Sequence, residues 1–377
     1  MTLRIDSDFD AGSITVLACD DPEHIQLKLR DDHAAPFRQW FYFRLHDAAQ
    51  QACHLRIENA GDATYPEGWP GYAARASYDN ENWFCVPTHY ENGVLHIRHT
   101  PTQNTVAYAY FEPYSQARHA AHLAKICQQG DVTLHMLGHT PAGHALNLVQ
   151  IGTAAAHKRN IWITARQHPG ESMAAWFVEG MLDRLLVRHD ACATALRAQC
   201  VFYIVPNMNP DGSAAGNLRT NLRGANLNRE WQAPDPIRSP EVWWVQHAMH
   251  HHGVDCLLDV HGDETLPYVF LAGCAGNPSY SPHQAQLEQK LQAAWMQADP
   301  EMQCEQGYAP REFGPETLTL ATNYAGDAFD CLAFTLEMPF KDNANLPDPH
   351  VGWNGARSMA LGKSYLTALQ AVLPDLR

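Results

Sequence analysis

The stretch Ile161-Trp162-Ile163-Thr164-Ala165-Arg166-Gln167-His168-Pro169-Gly170-Glu171 decides how this chain folds. Its opening run is branched and aromatic, of strand length, and bounded by polar residues. Pro169-Gly170 breaks the extended run. Beyond it, residues 172–188 set Ala174, Val178, Met181, Leu182 and Leu185 on one stripe at helical spacing. Strand, polar turn and helix therefore follow one another within thirty residues.

The same unit recurs. Val201-Phe202-Tyr203-Ile204-Val205, Cys256-Leu257-Leu258-Asp259-Val260 and Cys331-Leu332-Ala333-Phe334-Thr335-Leu336 are further strand-length runs. Between them, Ser239 as N-cap with Pro240 and Glu241 opens a second helix, and 284–296 and 356–373 carry the helical pattern again. Asp211-Gly212 reads as a turn. This alternation predicts an α/β unit over residues 113–377, with a mixed, mostly parallel sheet flanked by helices. Residues 1–112 differ. Short runs such as Gln39-Trp40-Phe41-Tyr42-Phe43-Arg44-Leu45, His54-Leu55-Arg56-Ile57 and Val94-Leu95-His96-Ile97-Arg98 are separated by turn clusters, which predicts a smaller all-β sandwich.

The composition sets bounds. The 377 residues are 45% hydrophobic and 18% charged, as in ordinary globular proteins. A formal charge of −15 disfavours nucleic acid and anionic membrane surfaces, which need clustered cations. No run has the length of a membrane span, and Met1–Gly12 shows no export signal. Ten scattered cysteines without CxxC spacing read as reduced thiols, so a cytoplasmic protein is expected.

Three of the four runs lead straight into a metal-binding or proton-moving residue type. The run at 161–165 leads to His168 and Glu171, that at 256–260 to His261, and that at 331–336 to Glu337. The fourth leads to Pro206-Asn207-Met208-Asn209-Pro210-Asp211-Gly212 and then to Arg219, Asn228 and Arg229. Ligands of open α/β sheets collect beyond the carboxyl ends of the strands. Two imidazoles and a carboxylate suit a catalytic zinc, which keeps one position open for water. Zinc acidifies that water and polarises a carbonyl, and a nearby carboxylate such as Glu337 can take the proton. HxxE spacing alone is weak among 22 histidines, and His261-Gly262-Asp263-Glu264 is a second instance. The run His250-His251-His252 reads as a solvated helix end, where positive charge suits the dipole.

Five blocks carry a resemblance. They are Arg166-Gln167-His168-Pro169-Gly170-Glu171-Ser172; Pro206–Gly212; Gly216-Asn217-Leu218-Arg219 with Asn226-Leu227-Asn228-Arg229-Glu230-Trp231; Asp259-Val260-His261-Gly262-Asp263-Glu264; and Thr335-Leu336-Glu337-Met338-Pro339-Phe340. In this order they resemble the zinc carboxypeptidases, specifically bacterial members of the cytosolic carboxypeptidase branch. Trp40-Phe41-Tyr42-Phe43 and Tyr110-Phe111-Glu112-Pro113-Tyr114-Ser115 look like that branch's β-domain and its junction.

The resemblance implies a carboxypeptidase-like fold and one Zn²⁺ per chain, held by His168, Glu171 and His261, with Glu337 as general base. It implies that Arg219 stabilises the oxyanion and that Asn228 and Arg229 grip the terminal carboxylate of a peptide or protein substrate. Arginine is well shaped for that binding. By position alone Arg219 reads as a solvated loop residue, with Arg223 a competitor, and Asn228-Arg229 as a cap on the turn before Trp231. The family's mobile tyrosine would be Tyr308 or Tyr324. Release of glutamate, also implied, calls for a basic side-chain pocket, yet no Lys or Arg lies between Glu312 and Glu337. Arg166, Arg311 and Lys341 flank that gap. Hydrolysis of N-acyl amino acids is the alternative activity, and a non-catalytic binding module would require loss of a ligand or the base.

Overall fold

The computed structural model describes residues 3–309 and 312–376. Ten strands come first: β1 (Arg4–Asp6), β2 (Thr15–Ala18), β3 (Ile25–Lys28), β4 (Tyr42–His46), β5 (Cys53–Ile57), β6 (Arg75–Ser77), β7 (Trp83–Cys85), β8 (Thr88–Glu91), β9 (Val94–His99) and β10 (Thr105–Ala109). They form two five-stranded sheets, ordered β1-β4-β10-β6-β7 and β2-β3-β5-β9-β8. Alternation drives their packing. Cys53, Leu55 and Ile57 of β5 are buried while His54 and Arg56 between them are not. Leu95 and Ile97 join them in one core with Phe43, Leu45, Val106 and Tyr108 of the other sheet.

Helix α1 (Gln116–Ile126) leads to a second unit with strands β11 (Val132–His139), β12 (Ala145–Ile151), β13 (Arg159–Ala165), β14 (Cys200–Val205), β15 (Cys256–Asp263), β16 (Phe270–Ala272) and β17 (Leu332–Pro339). Its helices are α2 (Met173–Leu185), α3 (Ala191–Gln199), α4 (Pro210–Ala215), α5 (Pro240–His252), α6 (Pro282–Ala298), α7 (Ala321–Phe329) and α8 (Gly355–Val372). The sheet runs β11-β12-β14-β13-β15-β17-β16. Its central four strands are parallel, and β11, β12 and β16 are antiparallel. The mixed α/β architecture expected from the apolar runs is the one observed.

The central strands are apolar on both faces because helices cover both. Ile161, Ile163, Leu258 and Phe334 share a core with α2, α6 and α8; Trp162, Tyr203, Leu257 and Ala333 face α5 and α7. Helices α2 and α8 touch through Gly180 and Gly362. A Cβ at Gly180 would lie 2.2 Å from the Met359 carbonyl, and one at Gly362 2.1 Å from that of Phe177. Asp211-Gly212 is not a turn: Pro210 starts α4, and Asn209 caps it by accepting from the Gly212 amide.

The two units share one hydrophobic core. Tyr110 stacks on Phe340 at 4.6 Å between ring centroids, and buried Arg75 of β6 donates to the carbonyls of Phe340 and Trp353. Glu112 accepts from the Gly355 amide at the start of α8. Among the described residues, no helix is long and apolar enough to cross a membrane.

Candidate metal centre and its cleft

The parallel strands all end on one rim. After β13 the backbone turns through Arg166 in the left-handed region, with φ 59°, and the Arg166 guanidinium donates to the carbonyls of Pro169 and Tyr114. This holds the loop carrying His168 and Glu171. His261 comes from the end of β15, level with Glu337 in β17. Alternation puts both on the α5/α7 face, because their neighbours Val260, Leu336 and Met338 belong to the opposite core.

His168, Glu171 and His261 are the one group among the described residues whose donor atoms could hold a metal, lying within 4.8 Å of one another. His168 Nδ1 is 2.6 Å from Glu171 Oε1, His261 Nδ1 is 2.7 Å from Glu171 Oε2, and the two Nδ1 atoms are 3.2 Å apart. The far side of each ring is anchored. His261 Nε2 meets Asp259 Oδ2 at 2.7 Å, and His168 Nε2 meets Asn226 Oδ1 at 3.0 Å. Asp259 is itself held by Thr164 Oγ1 and Gln167 Nε2, and Gln167 by the Trp231 indole. An acceptor behind each imidazole fixes the ring and turns Nδ1 inward, the arrangement of metal-binding histidines. Two imidazoles and one carboxylate converging on a point fit Zn²⁺.

The electrostatics agree with that fit. Burial and Arg219 pull the His168 imidazole down to about 4. Burial opposes the charge of Glu171, yet His168 and His261 hold its carboxyl well below the usual range. Burial also favours a neutral His261, but Asp259 and Glu171 outweigh it and draw positive charge onto the ring. The centre is built around a cation.

A cleft of about 860 Å³ opens over the centre and is lined by Arg219, Asn228, Arg229, Tyr308 and Glu337 among others. Glu337 is buried, and burial pushes its carboxyl well above the usual range, with His261 opposing and Glu171 and Asp263 adding. One oxygen accepts from the Tyr308 hydroxyl at 3.0 Å; the other, Oε2, is buried without a hydrogen bond from any described residue. The Arg219 guanidinium lies over the Tyr65 ring, 5.4 Å from its centroid. Arg229 is exposed and donates to the Asn228 carbonyl. Asn228 itself accepts from the Ala321 amide at the start of α7, and its amide nitrogen is 3.3 Å from His261 Nε2.

Other residues are sorted by position. Arg223 is exposed and off the cleft. Tyr308 is at the site, whereas the Tyr324 hydroxyl meets His250 Nε2 at 2.7 Å. His250 and His251 are exposed on the last turn of α5. Arg166 lines a separate small cavity, Lys341 does not line the cleft, and Arg311 lies outside the described residues. Tyr65 and Glu67, from the first unit, line the cleft and went unnoticed in the sequence because they lie about a hundred residues before the first motif. Asp32 also escaped notice. Buried, it accepts from the amides of Leu218, Arg219 and Thr220 and from the Thr220 hydroxyl.

Residues 5–111 match the family model for the cytosolic carboxypeptidase N-terminal domain, and residues 121–348 that for zinc carboxypeptidase. A metallo-carboxypeptidase from Burkholderia cenocepacia is 50% identical, with a TM-score of 0.95 over 98% of each chain. One from Pseudomonas aeruginosa, solved in complex with (2-guanidinoethylmercapto)succinic acid, is 43% identical, with a TM-score of 0.96 over 99% of this chain and 100% of its own. Human cytosolic carboxypeptidase 2 is 26% identical over 73% of this chain, and the match spans 34% of the human protein. A buried His-Glu-His centre at the strand ends, together with these matches over both units, leads to one assignment: the chain belongs to the zinc carboxypeptidase family and is a peptide-bond metallohydrolase of its cytosolic carboxypeptidase branch.

Proposed function

We infer that this enzyme removes the C-terminal residue of a peptide or protein, using one Zn²⁺ per chain held by His168, Glu171 and His261. When bound, zinc supplies an acidified water and a Lewis acid for the scissile carbonyl. Glu337 accepts the proton of the attacking water and delivers it to the leaving amine. Its Oε2, buried beside the ligand set with no hydrogen bond from any described residue, is the single observation that best supports this reading.

Arg219 stabilises the oxyanion that develops on the scissile carbonyl oxygen. Although burial works against its charge, Tyr65, Glu264 and Glu171 outweigh that and keep the guanidinium protonated. Arg229, steered by Asn228, holds the substrate's terminal carboxylate. The Pseudomonas aeruginosa relative was solved with a dicarboxylate bound, which accords with such a role. Release of glutamate is carried over from the resemblance alone. We also take residues 1–112 and 113–377 as the two domains, and place the protein in the cytoplasm on its ten unpaired thiols.

The test is a mass-spectrometric digest of a peptide library representing every C-terminal residue, with and without a chelator. Chelator-sensitive loss of single C-terminal residues is expected; zinc-loaded protein that trims none overturns the reading. Arg229→Ala should raise KM for carboxylate-ended peptides and leave zinc bound. Faster cleavage of N-acetyl amino acids than of peptides in a parallel assay would instead favour the deacylase.

A further inference from the structure

We propose that Glu264 forms a cation-binding subsite on the amino side of the scissile bond, so that the enzyme selects substrates with a positively charged nitrogen there. This rests on the reading of Arg219 and Arg229 above. Glu264 lines the cleft and is 6% exposed. Among the described residues no other side chain donates a hydrogen bond to its carboxylate or forms an ion pair with it, and its own amide and the nearby charge of Arg219 offset only part of its burial. Its neighbour Asp263 is different: it accepts from the amides of Thr265 and Leu266 and from Tyr308. A buried carboxylate is normally paired, because losing its hydration is costly when it is not. A carboxylate without a side-chain hydrogen bond or ion pair in a substrate cleft is poised for a closer cation from the substrate.

Its position gives the side. Arg219 and Tyr65 stack on one wall, and Glu264 reaches that wall because its carbonyl packs against Gly68, where a Cβ would lie 2.8 Å away. Asn228 and Arg229 belong to another wall, tied by Asn228 to the start of α7. A peptide with its carboxylate at Arg229 and its scissile carbonyl at Arg219 therefore runs its preceding residue toward Glu264. Exposed Glu67 and Glu305 add negative charge to the cleft. The cation can be the free α-ammonium of a dipeptide or a Lys or Arg side chain. A glutamate in that place would face Glu264, Glu67 and Glu305 and bring no cation, so the subsite disfavours it.

The test measures equilibrium binding to the full-length, zinc-loaded Glu337→Gln protein. Its ligands share one C-terminal residue preceded by acetyl-lysine, acetyl-norleucine, acetyl-glutamate or unacetylated norleucine. At least one cationic ligand should bind about tenfold more tightly than acetyl-norleucine, and acetyl-glutamate more weakly. Preference for acetyl-lysine assigns the side chain; preference for unacetylated norleucine assigns the α-ammonium. Adding Glu264→Gln should bring the ratios near one. Equal affinities in the Glu337→Gln protein, or ratios that survive Glu264→Gln, overturn the subsite. Peptide turnover by the unmodified enzyme tests the hydrolase reading separately.

A different observation carries a second inference: the geometry points to Asp32 as a positioning residue for Arg219. Its carboxylate, delivered by the first unit, accepts from three successive amides, at 2.5 Å from Leu218 and 2.8 Å from both Arg219 and Thr220, and from Thr220 Oγ1 at 2.9 Å. His33 donates its amide to Asn217 in the same loop. The loop carrying the cation is thus clamped from outside the catalytic unit. Asp32→Asn should lower kcat about tenfold or more with KM little changed, and have under a twofold effect in an Arg219→Ala background. Thr220→Val, a milder change, should show a smaller drop with the same dependence. Equal losses in both backgrounds, or an unchanged kcat, overturn the positioning role.

Discussion

Glu337 illustrates how a buried acceptor is kept available. Tyr308 has one hydroxyl proton and two carboxylates in reach, Asp263 at 2.7 Å and Glu337 at 3.0 Å, so it can donate to Glu337 only by giving up Asp263. The second oxygen of Glu337 has no hydrogen-bond partner among the described residues. Glu337→Gln, which keeps the shape and removes the base, should lower kcat by about 10²–10⁴ while zinc content stays unchanged. Steady-state kinetics beside metal analysis checks both halves. The motif spacing led to Glu337 because a carboxylate ending a buried strand is unusual; Tyr308 stayed ambiguous with Tyr324 because nothing local distinguishes a tyrosine over a cleft from one packed on a helix.

At the scale of elements, the period of the β-strand explains the centre. Asp259 and His261 stand two residues apart in β15 and share a face, which lets the carboxylate grip the ring's Nε2. Asp259→Asn should weaken zinc by about 10–100-fold, measured by chelator competition. Helix α5 carries a separate titration. Glu241 in its first turn is buried, with one oxygen held by Asn221 and the other unpaired, and burial raises its pKa to about 7. The folded state then binds this proton more tightly than the unfolded chain. Its contribution therefore favours folding at low pH and is lost as pH rises from about 4.5 to about 7. Glu241→Gln should flatten that slope and raise Tm at pH 8, by a stabilisation of about 1–3 kcal/mol. Thermal melts across pH decide it.

Over the whole molecule, the two units pack through one shared apolar core. Phe340 follows the strand that carries Glu337, and it packs against Tyr110 and Phe111 at the end of the first unit. Residues 113–377 alone would expose this apolar seam and lose the contacts of Arg75 and Glu112. They should be insoluble or bind a hydrophobic dye, and the full chain should unfold in a single transition. A soluble, cooperatively folded 113–377 fragment with the parent's activity would contradict this.

What the sequence determined by itself was local: strands and helices with strong periodicity, the β-rich first unit, and the reading of His168, Glu171, His261 and Glu337 as chemically meaningful residues at or beyond the ends of strands. These were readable because burial on both faces leaves uninterrupted apolar runs, and a polar residue at the end of such a run stands out. The start of α4 was misread because Asp-Gly favours turns until Asn209 and Pro210 cap and seed a helix. Only the tertiary structure decided which tyrosine meets Glu337, that Asp32 clamps the Arg219 loop, and that among the described residues no other side chain hydrogen-bonds Glu264. Each depends on which distant side chains are brought within a few ångströms, and spacing along a chain carries no record of that.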